Sequence, residues 1–291
     1  MEVARSGVFH PEMFTFAEVM LLFLAVMFTN VILLDIFNTL GMPTSTTVSL
    51  VFGLLGAAVG ISIFKIANDA LVTLPDGSLA TMADMINTGN AMAIIGGILI
   101  SVVIAFVCGT VVMYITRLIF SFRYQSKLKS YGAVWCGIAL TAISYFAVFK
   151  GLKGTQVIPA DWMSWMEGHI PMMLGGLLVG WSLIMSILSM LKVNILRITV
   201  LAGTFSLALA FAGNDLVNFI GVFVAGVDAY DIVRTTGDTN MLMGGLNDPV
   251  VANLLILFLS GAVMVVTLWF SKKAQSVSDT EINLARQDVG V

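Results

Sequence analysis

Charge is scarce in this chain. Only 11% of its 291 residues are Asp, Glu, Lys or Arg, whereas soluble domains carry about a quarter. Hydrophobic residues make up 58% of the chain, and the mean hydropathy is +0.99. So little polar surface cannot cover an apolar core in water. A soluble domain is therefore excluded, and the lipid bilayer is the expected solvent.

Cysteine, histidine and clustered basic residues are also rare. Cys108 and Cys136 lie within apolar stretches, where a free thiol behaves as a small hydrophobe. His10 and His169 lack the neighbours that a metal site needs, so no cofactor and no resident metal are expected. No Lys or Arg run is long enough to indicate a nucleic-acid partner. Because the spans hold no catalytic constellation, we do not expect an enzyme.

Long apolar stretches fill most of the sequence. We distinguish seven, at residues 16–37, 44–66, 91–115, 131–149, 170–191, 199–226 and 251–270. Each is long enough for a helix that crosses about 30 Å of hydrocarbon. The runs are continuous, whereas barrel strands alternate in segments of about ten residues. The sequence predicts an all-α polytopic membrane protein, with residues 1–270 as one membrane domain and 271–291 as a soluble cytoplasmic tail.

The distribution of charge between the segments predicts their orientation. Basic residues follow the third, fifth and seventh segments, and cytoplasmic loops are enriched in Lys and Arg. They are Arg117, Arg123, Lys127, Lys129, Lys192, Arg197, Lys272 and Lys273. The acidic loops 67–89 and 227–248 should then face outward. Counting back also puts residues 1–15 outside, where we expect a polar loop. The expected location is the inner, cytoplasmic membrane.

A helix stop and a helix start adjoin between the first two segments. Gly41 and Pro43 end one helix, and Thr44, Ser45 and Thr46 are favoured N-cap residues for the next. The hydroxyls of these three residues and of Thr47 then lie at the positive end of a helix dipole, which suits an oxyanion. The alternative is an ordinary interhelical turn whose hydroxyls only cap the helix.

A second polar interruption lies in the middle of the sixth segment. An ionised Asp at the centre of a span costs about 2.5 to 3.5 kcal/mol, so Asp215 is expected to face a cavity, a partner or an ion. Asn214 and Asn218 share a helix face beside it. Gly213 predicts a local unwinding, as in the broken helices of secondary transporters. The alternative is that these side chains only hold helices together.

A third polar pair, Asp35 and Asn38, ends the first segment. By chain distance it lies within reach of residues 44–47, so we expect a supporting role behind that motif, together with Thr44. The alternative is that Asp35 and Asn38 only meet water at the membrane interface.

These residues resemble the motifs of the PiT family of inorganic phosphate transporters. In that family two inverted repeats each carry a Gly-Ala-Asn-Asp-Val-Ala-Asn-like and a Pro-Val-Ser-Thr-Thr-His-like motif. Residues 43–47 resemble the Ser-Thr-Thr element of the first repeat, and residues 212–218 resemble the Asn-Asp element of the second. The surrounding sequence is most similar to the long members of Bacteroidetes-type bacteria, so the resemblance covers essentially the whole chain.

The chain departs from the family pattern at several points. Val48 replaces the usual His, and Ala212 and Gly213 invert the usual Gly-Ala order. An Asn-Asp motif before Thr44 and a Ser-Thr-Thr motif after Asn218 are missing. We therefore expect a chain that is truncated at both ends and does not transport unaided.

The resemblance implies cation-coupled symport of inorganic phosphate by alternating access. Hydrogen bonds to phosphate would come from five side chains: Ser45, Thr46, Thr47, Asn214 and Asn218. Asp215 would hold the co-transported Na⁺ or H⁺, the one cation site that we expect. A homodimer is a further expectation. The rival hypotheses are a membrane structural or assembly subunit that does not transport, and an inactive transporter fragment.

Overall fold

A computed structural model describes residues 3–120, 124–152, 159–248 and 254–285. This part of the chain consists of ten α-helices joined by short turns and single bridges. They are α1 (Phe16–Thr39), α2 (Thr46–Ala67), α3 (Met82–Met85), α4 (Thr88–Phe120), α5 (Tyr124–Phe146), α6 (Ala160–Gly168), α7 (Ile170–Met190), α8 (Ile195–Thr236), α9 (Leu254–Phe270) and α10 (Lys272–Ala285). Short 3₁₀ or π turns occupy Val3–Gly7, Pro11–Met13, Ala147–Leu152 and Gly244–Asn247.

The predicted class, an all-α polytopic membrane protein, is confirmed. Six helices are long and apolar enough to cross a membrane, and the count is seven if α9 and the start of α10 form one span bent by 72°. Every predicted segment corresponds to one of the long helices. The seventh segment begins at residues 251–253, which lie outside the described residues.

The chain divides into two compact units. One unit contains residues 102–214, where α5 packs closely on α7. Gly137 leaves no room for a Cβ against Ser182, and the Trp181 indole N–H donates to Ser144 Oγ at 3.0 Å. The other unit contains residues 1–101 and 215–291, and it includes both α2 and the second half of α8.

In the second of these units α1 packs against both α2 and α8. Val26 on α1 adjoins Gly53 on α2, and Phe23 on α1 adjoins Gly226 on α8. The buried residues of α1 recur at helical spacing, at Val19, Leu22, Phe23 and Val26. This spacing gives α1 one buried stripe, while its other faces expose apolar side chains to the expected lipid.

Three segments join at one end of these helices, and we call them the loop layer: residues 3–15, 69–87 and 237–247. Phe9 pairs with Ile86 and Thr15 with Leu242 in single antiparallel bridges. The structure thus confirms that the three segments share one side, as the charge pattern predicts. That this side faces outward stays a prediction.

The prediction that residues 1–15 form a polar loop is wrong. Val8, Phe9 and Phe14 are fully buried, and the Phe9 ring meets the Phe14 ring edge-on at 5.7 Å. The apolar side chains of this segment belong to one buried cluster with residues of the other two loop-layer segments and of α1, α2 and α8. The sequence pattern did not show this because the segment is too short to have helical periodicity.

The predicted unwinding at residues 213–218 is also wrong, because α8 continues through them as an α-helix. One Gly in a helix costs only about 1 kcal/mol relative to Ala. Unwinding within the bilayer would expose several backbone N–H and C=O groups, each at a cost of several kcal/mol. The side chains of Asp215 and Asn218 find partners without it, as described below. The predicted break at residues 43–47, in contrast, is confirmed by the end of α1 at Thr39 and the start of α2 at Thr46.

Two acidic side chains in the loop after α2 are held by their own turns. The hydroxyl and backbone N–H of Ser78 hydrogen-bond to Asp76 and lower the pKa of its carboxyl, and Thr81 does the same for Asp84. The loop therefore keeps its negative charge at neutral pH.

The orientation can be tested with cysteines in a background with Cys108→Ala and Cys136→Ala. Leu79→Cys lies in an exposed part of the loop layer, and Asp279→Cys lies on the exposed side of α10. In right-side-out vesicles an impermeant maleimide should label the first at once and the second only after permeabilisation. The reverse pattern would invert the orientation.

Candidate functional site

The chain between α1 and α2 places a row of hydroxyls at the start of α2. Gly41 adopts a positive φ of 65°, which favours glycine, and so turns the chain after α1. Ser45 is the N-cap of α2, and its Oγ accepts a hydrogen bond from the Val48 backbone N–H at 3.3 Å. Thr46 and Thr47 then occupy the first two helical positions, where backbone N–H groups have no partner within the helix.

The hydroxyls of Thr46 and Thr47 meet polar side chains from the middle of α8. The Thr46 hydroxyl donates to Asp215 Oδ1 at 2.8 Å. Asn218 Nδ2 donates to Thr46 Oγ1 at 3.0 Å and to Thr47 Oγ1 at 2.8 Å. We call these four residues the hydroxyl–carboxylate cluster. It joins two motifs that lie about 170 residues apart in the sequence.

Asn218 is the most enclosed member of the cluster. It is 8% exposed, so its amide cannot rely on water, and its two N–H bonds are both used on threonine hydroxyls. Thr46, Thr47 and Asp215 are half-buried. The cluster is therefore satisfied internally, yet part of its surface remains open.

The carboxylate of Asp215 accepts a hydrogen bond from a neutral hydroxyl. Within the described ranges, no Lys or Arg forms an ion pair with Asp215, whereas Glu18, Asp35 and Asp228 each have a basic partner. The hydrogen-bond donor that the described residues bring to Asp215 is the neutral hydroxyl of Thr46. This leaves negative charge next to a group of hydroxyls, which is an arrangement suited to a small cation.

The other predicted site residues lie apart from the cluster or outside the description. Ser45 is exposed and Thr44 is half-buried, both directly before Thr46. The backbone of Asn214 is helical, and its side chain lies outside the described residues.

Asp35 and Asn38 contact α10. Lys273 Nζ lies 2.6 Å from Asp35 Oδ1, and Ser276 Oγ donates to the Asn38 carbonyl at 3.0 Å. Their supporting role at the site stays a prediction.

Sequence reasoning missed a further polar contact beside the cluster. The Ser49 hydroxyl, one turn after Thr46, donates to Asn30 Oδ1 on α1 at 2.6 Å. Asn30 is an uncharged amide in the middle of an apolar span, and such residues usually bond across to a neighbouring helix. The presence of an amide within an apolar span is therefore the sequence signal that identifies Asn30. The contact ties the start of α2 to α1 just behind the cluster.

The fold and the cluster define the class of the protein as a multi-pass helical membrane protein. Its hydroxyls, an amide and a carboxylate meet where the start of α2 packs against the middle of α8. Comparison with known families agrees. The sequence model of the phosphate transporter family matches residues 1–274, and the chain belongs to that family. Searches among curated proteins and solved structures gave no significant match.

The cluster predicts a specific stability effect at Thr46. Thr46→Val keeps the shape but leaves Asp215 Oδ1 and one Asn218 N–H without a partner, whereas Thr46→Ser keeps the hydroxyl. An unsatisfied buried polar group costs about 1–3 kcal/mol, more when it is charged. Thermal unfolding of the detergent-purified protein should therefore begin at a lower temperature for Thr46→Val than for Thr46→Ser. Equal stabilities would show that these hydrogen bonds contribute little.

Proposed function

We propose that this protein is a secondary active transporter that carries inorganic phosphate together with Na⁺ or H⁺ by alternating access. Membership of the phosphate transporter family supports the substrate. The single observation that carries the mechanism is the hydroxyl–carboxylate cluster, in which hydrogen bonds of 2.8 to 3.0 Å link hydroxyl and amide donors to a carboxylate that has no ion pair among the described residues.

The donors for phosphate come from the start of α2 and from α8. We assign the hydroxyls of Ser45, Thr46 and Thr47, the first N–H groups of α2, and the amides of Asn214 and Asn218 to this role. The positive end of a helix dipole favours an anion by about 0.3 to 1 kcal/mol at an exposed site, and unpaired N–H groups point at the ligand. Neutral donors bind phosphate without trapping it as strongly as an arginine would.

Asp215 takes the cation. Two negative unit charges 4 Å apart repel by about 4 kcal/mol at an effective dielectric constant of 20. A phosphate beside an ionised Asp215 is therefore unfavourable unless a positive charge arrives with it. Na⁺ or H⁺ at the carboxylate removes this repulsion, and the phosphate in turn strengthens cation binding. Each ligand favours the other by the same factor, which couples the two fluxes.

In the present arrangement the donors are used on one another. For phosphate to bind, the Thr46 hydroxyl must turn away from Asp215 and the Asn218 amide must give up its threonine acceptors. A cation at Asp215 promotes the first of these changes because it competes with the Thr46 proton for the carboxylate. We therefore infer that the cation binds before phosphate.

The location that we propose is the inner membrane, and the assembly that we propose is a homodimer.

One alternative function follows from the same hydrogen bonds. A cluster that is satisfied internally also fastens α2 to α8, as expected of a membrane structural or assembly subunit, or of an inactive fragment. The two functions differ in what loss of the hydroxyls does. A structural subunit loses stability, whereas a transporter loses phosphate uptake even where the protein is inserted in normal amount.

The first test is uptake of radiolabelled phosphate by membrane vesicles containing Thr46→Ala, Thr47→Ala or Ser45→Ala. We expect at least a tenfold loss at Thr46 and Thr47, because each removes one phosphate donor and one partner of Asn218. Thr110→Ala is the matched control, since the exposed Thr110 hydroxyl donates to the Phe106 carbonyl of its own helix. Normal uptake by inserted Thr46→Ala and Thr47→Ala proteins would support the structural role instead.

The second test addresses the coupling ion. Asp215→Asn keeps the size of the side chain and its acceptor oxygen for Thr46 but removes the charge. We expect it to abolish uptake driven by a Na⁺ or pH gradient while the protein still inserts. Measured against both gradients in wild-type vesicles, the same assay identifies the ion. Unchanged cation dependence in Asp215→Asn would remove the assignment.

A further inference from the structure

Two buried cations lie at the loop-layer end of the unit that contains the cluster, and the proposed function does not use them. Lys65 is 2% exposed, and its ammonium donates to Glu18 Oε2 at 2.8 Å and to the Met13 carbonyl at 3.0 Å. The same nitrogen lies 5.6 Å from the centre of the Phe14 ring. Lys65 is therefore fully engaged by the chain that leads into α1.

Arg5 is different, because its hydrogen-bonding capacity is unfilled. Its side chain is 6% exposed, and Nε lies 3.5 Å from Asp228 Oδ2 on α8. Among the described residues, Nε and Nη2 have no hydrogen-bond partner. A guanidinium and a carboxylate can form two parallel hydrogen bonds with N–O distances of about 2.7–2.9 Å. The Arg5–Asp228 pair is thus loose, with room to tighten.

These two cations contact or belong to the two helices that form the cluster. Lys65 lies on α2, 19 residues after Thr46, and Asp228 lies on α8, 13 residues after Asp215. At 1.5 Å per residue the contacts are about 28 Å and 20 Å from the cluster along their helices. Both contacts are made by one short stretch, residues 4–18, which packs on α2 and contacts α8 where Ala4 meets Gly221.

We propose, on the basis of the proposed function, that Arg5 is a positioning residue for transport: its contact with Asp228 sets where α8 holds Asp215 and Asn218 relative to Thr46 and Thr47. The Lys65–Glu18 pair holds α2 in place, because the Lys65 ammonium already donates hydrogen bonds to both Glu18 and Met13. The Arg5–Asp228 pair is the adjustable one. When it tightens, the buried donors of Arg5 gain acceptors, and α8 shifts along α2 so that the donors of the cluster are released to phosphate.

The test combines phosphate uptake kinetics with a direct probe of the cluster. Arg5→Gln should raise the KM for phosphate at least fivefold, and Arg5→Lys, which keeps the charge, should recover part of the loss. The pair Arg5→Asp with Asp228→Arg should take up phosphate better than either single reversal. Glu12→Gln is the matched control and should leave KM unchanged, because Glu12 lies in the same stretch but contacts His10 and Asn247 at the surface, and glutamine keeps an oxygen that can accept from Asn247.

The probe is a cysteine at the exposed Ser45 position in the background without Cys108 and Cys136. Its rate of maleimide labelling should change at least threefold when Arg5→Gln is added, and not with Glu12→Gln. This result does not depend on transport, so it separates the inference from the proposed function if wild-type vesicles take up no phosphate. If Arg5→Gln lowers only the amount of inserted protein, with KM and labelling rate unchanged, Arg5 is a structural residue and the inference is wrong.

Discussion

Polar groups inside a membrane must find partners within the protein, because hydrocarbon offers none. This constraint accounts for much of what the described helices do. Trp181 bonds to Ser144 and Ser49 to Asn30, each across a pair of helices. In the spans, many threonine and serine hydroxyls bond back to the carbonyl three or four residues earlier. In the pairs named here a neighbouring helix supplies the partner that the residue's own helix lacks, whereas the buried Ser62 hydroxyl has no hydrogen-bond partner among the described residues.

The hydroxyl–carboxylate cluster is the place where this constraint and the proposed function coincide. Asp215 and Asn218 cannot be satisfied by α8 alone, so they recruit the first turn of α2, and the apolar packing of α1 against both helices supports the approach. The stability of the unit therefore depends on groups that a substrate would also use. A membrane protein can place such groups at mid-span only if the resting state offers them alternative partners.

The sequence was sufficient for the class of protein, the helices and the two motifs of the site. Continuous apolar runs specify spans, and Gly41, Pro43 and Ser45 specify a helix stop and start through their backbone preferences. The sequence did not show that Asp215 and Asn218 would bond to Thr46 and Thr47, because the pairing of distant residues is a property of packing. It also misleads at Gly213, whose flexible backbone predicts a break that α8 does not have. Glycine lowers the cost of unwinding a helix but does not favour it, and the bilayer opposes unwinding because the freed backbone groups would lack hydrogen-bond partners.

The buried N-terminal segment could not be predicted for a related reason. Arg5, Glu18 and Lys65 each look like ordinary charged residues at the ends of spans, and only their proximity in the fold makes them buried pairs. Short segments without periodicity carry little information about burial. Their side chains become informative only once the loops that cover them are placed.

The saturated amide of Asn218 has a consequence for how tightly the site can hold its cargo. A ligand gains only the difference between the hydrogen bonds that it makes and those that it displaces, so affinity falls well below what the number of donors would suggest. When a ligand binds such a site, its hydrogen bonds replace existing ones within the protein, so the total number of hydrogen bonds changes little. Under the proposed function, such weak binding raises the phosphate concentration needed to fill the site and favours fast release of phosphate on the other side of the membrane.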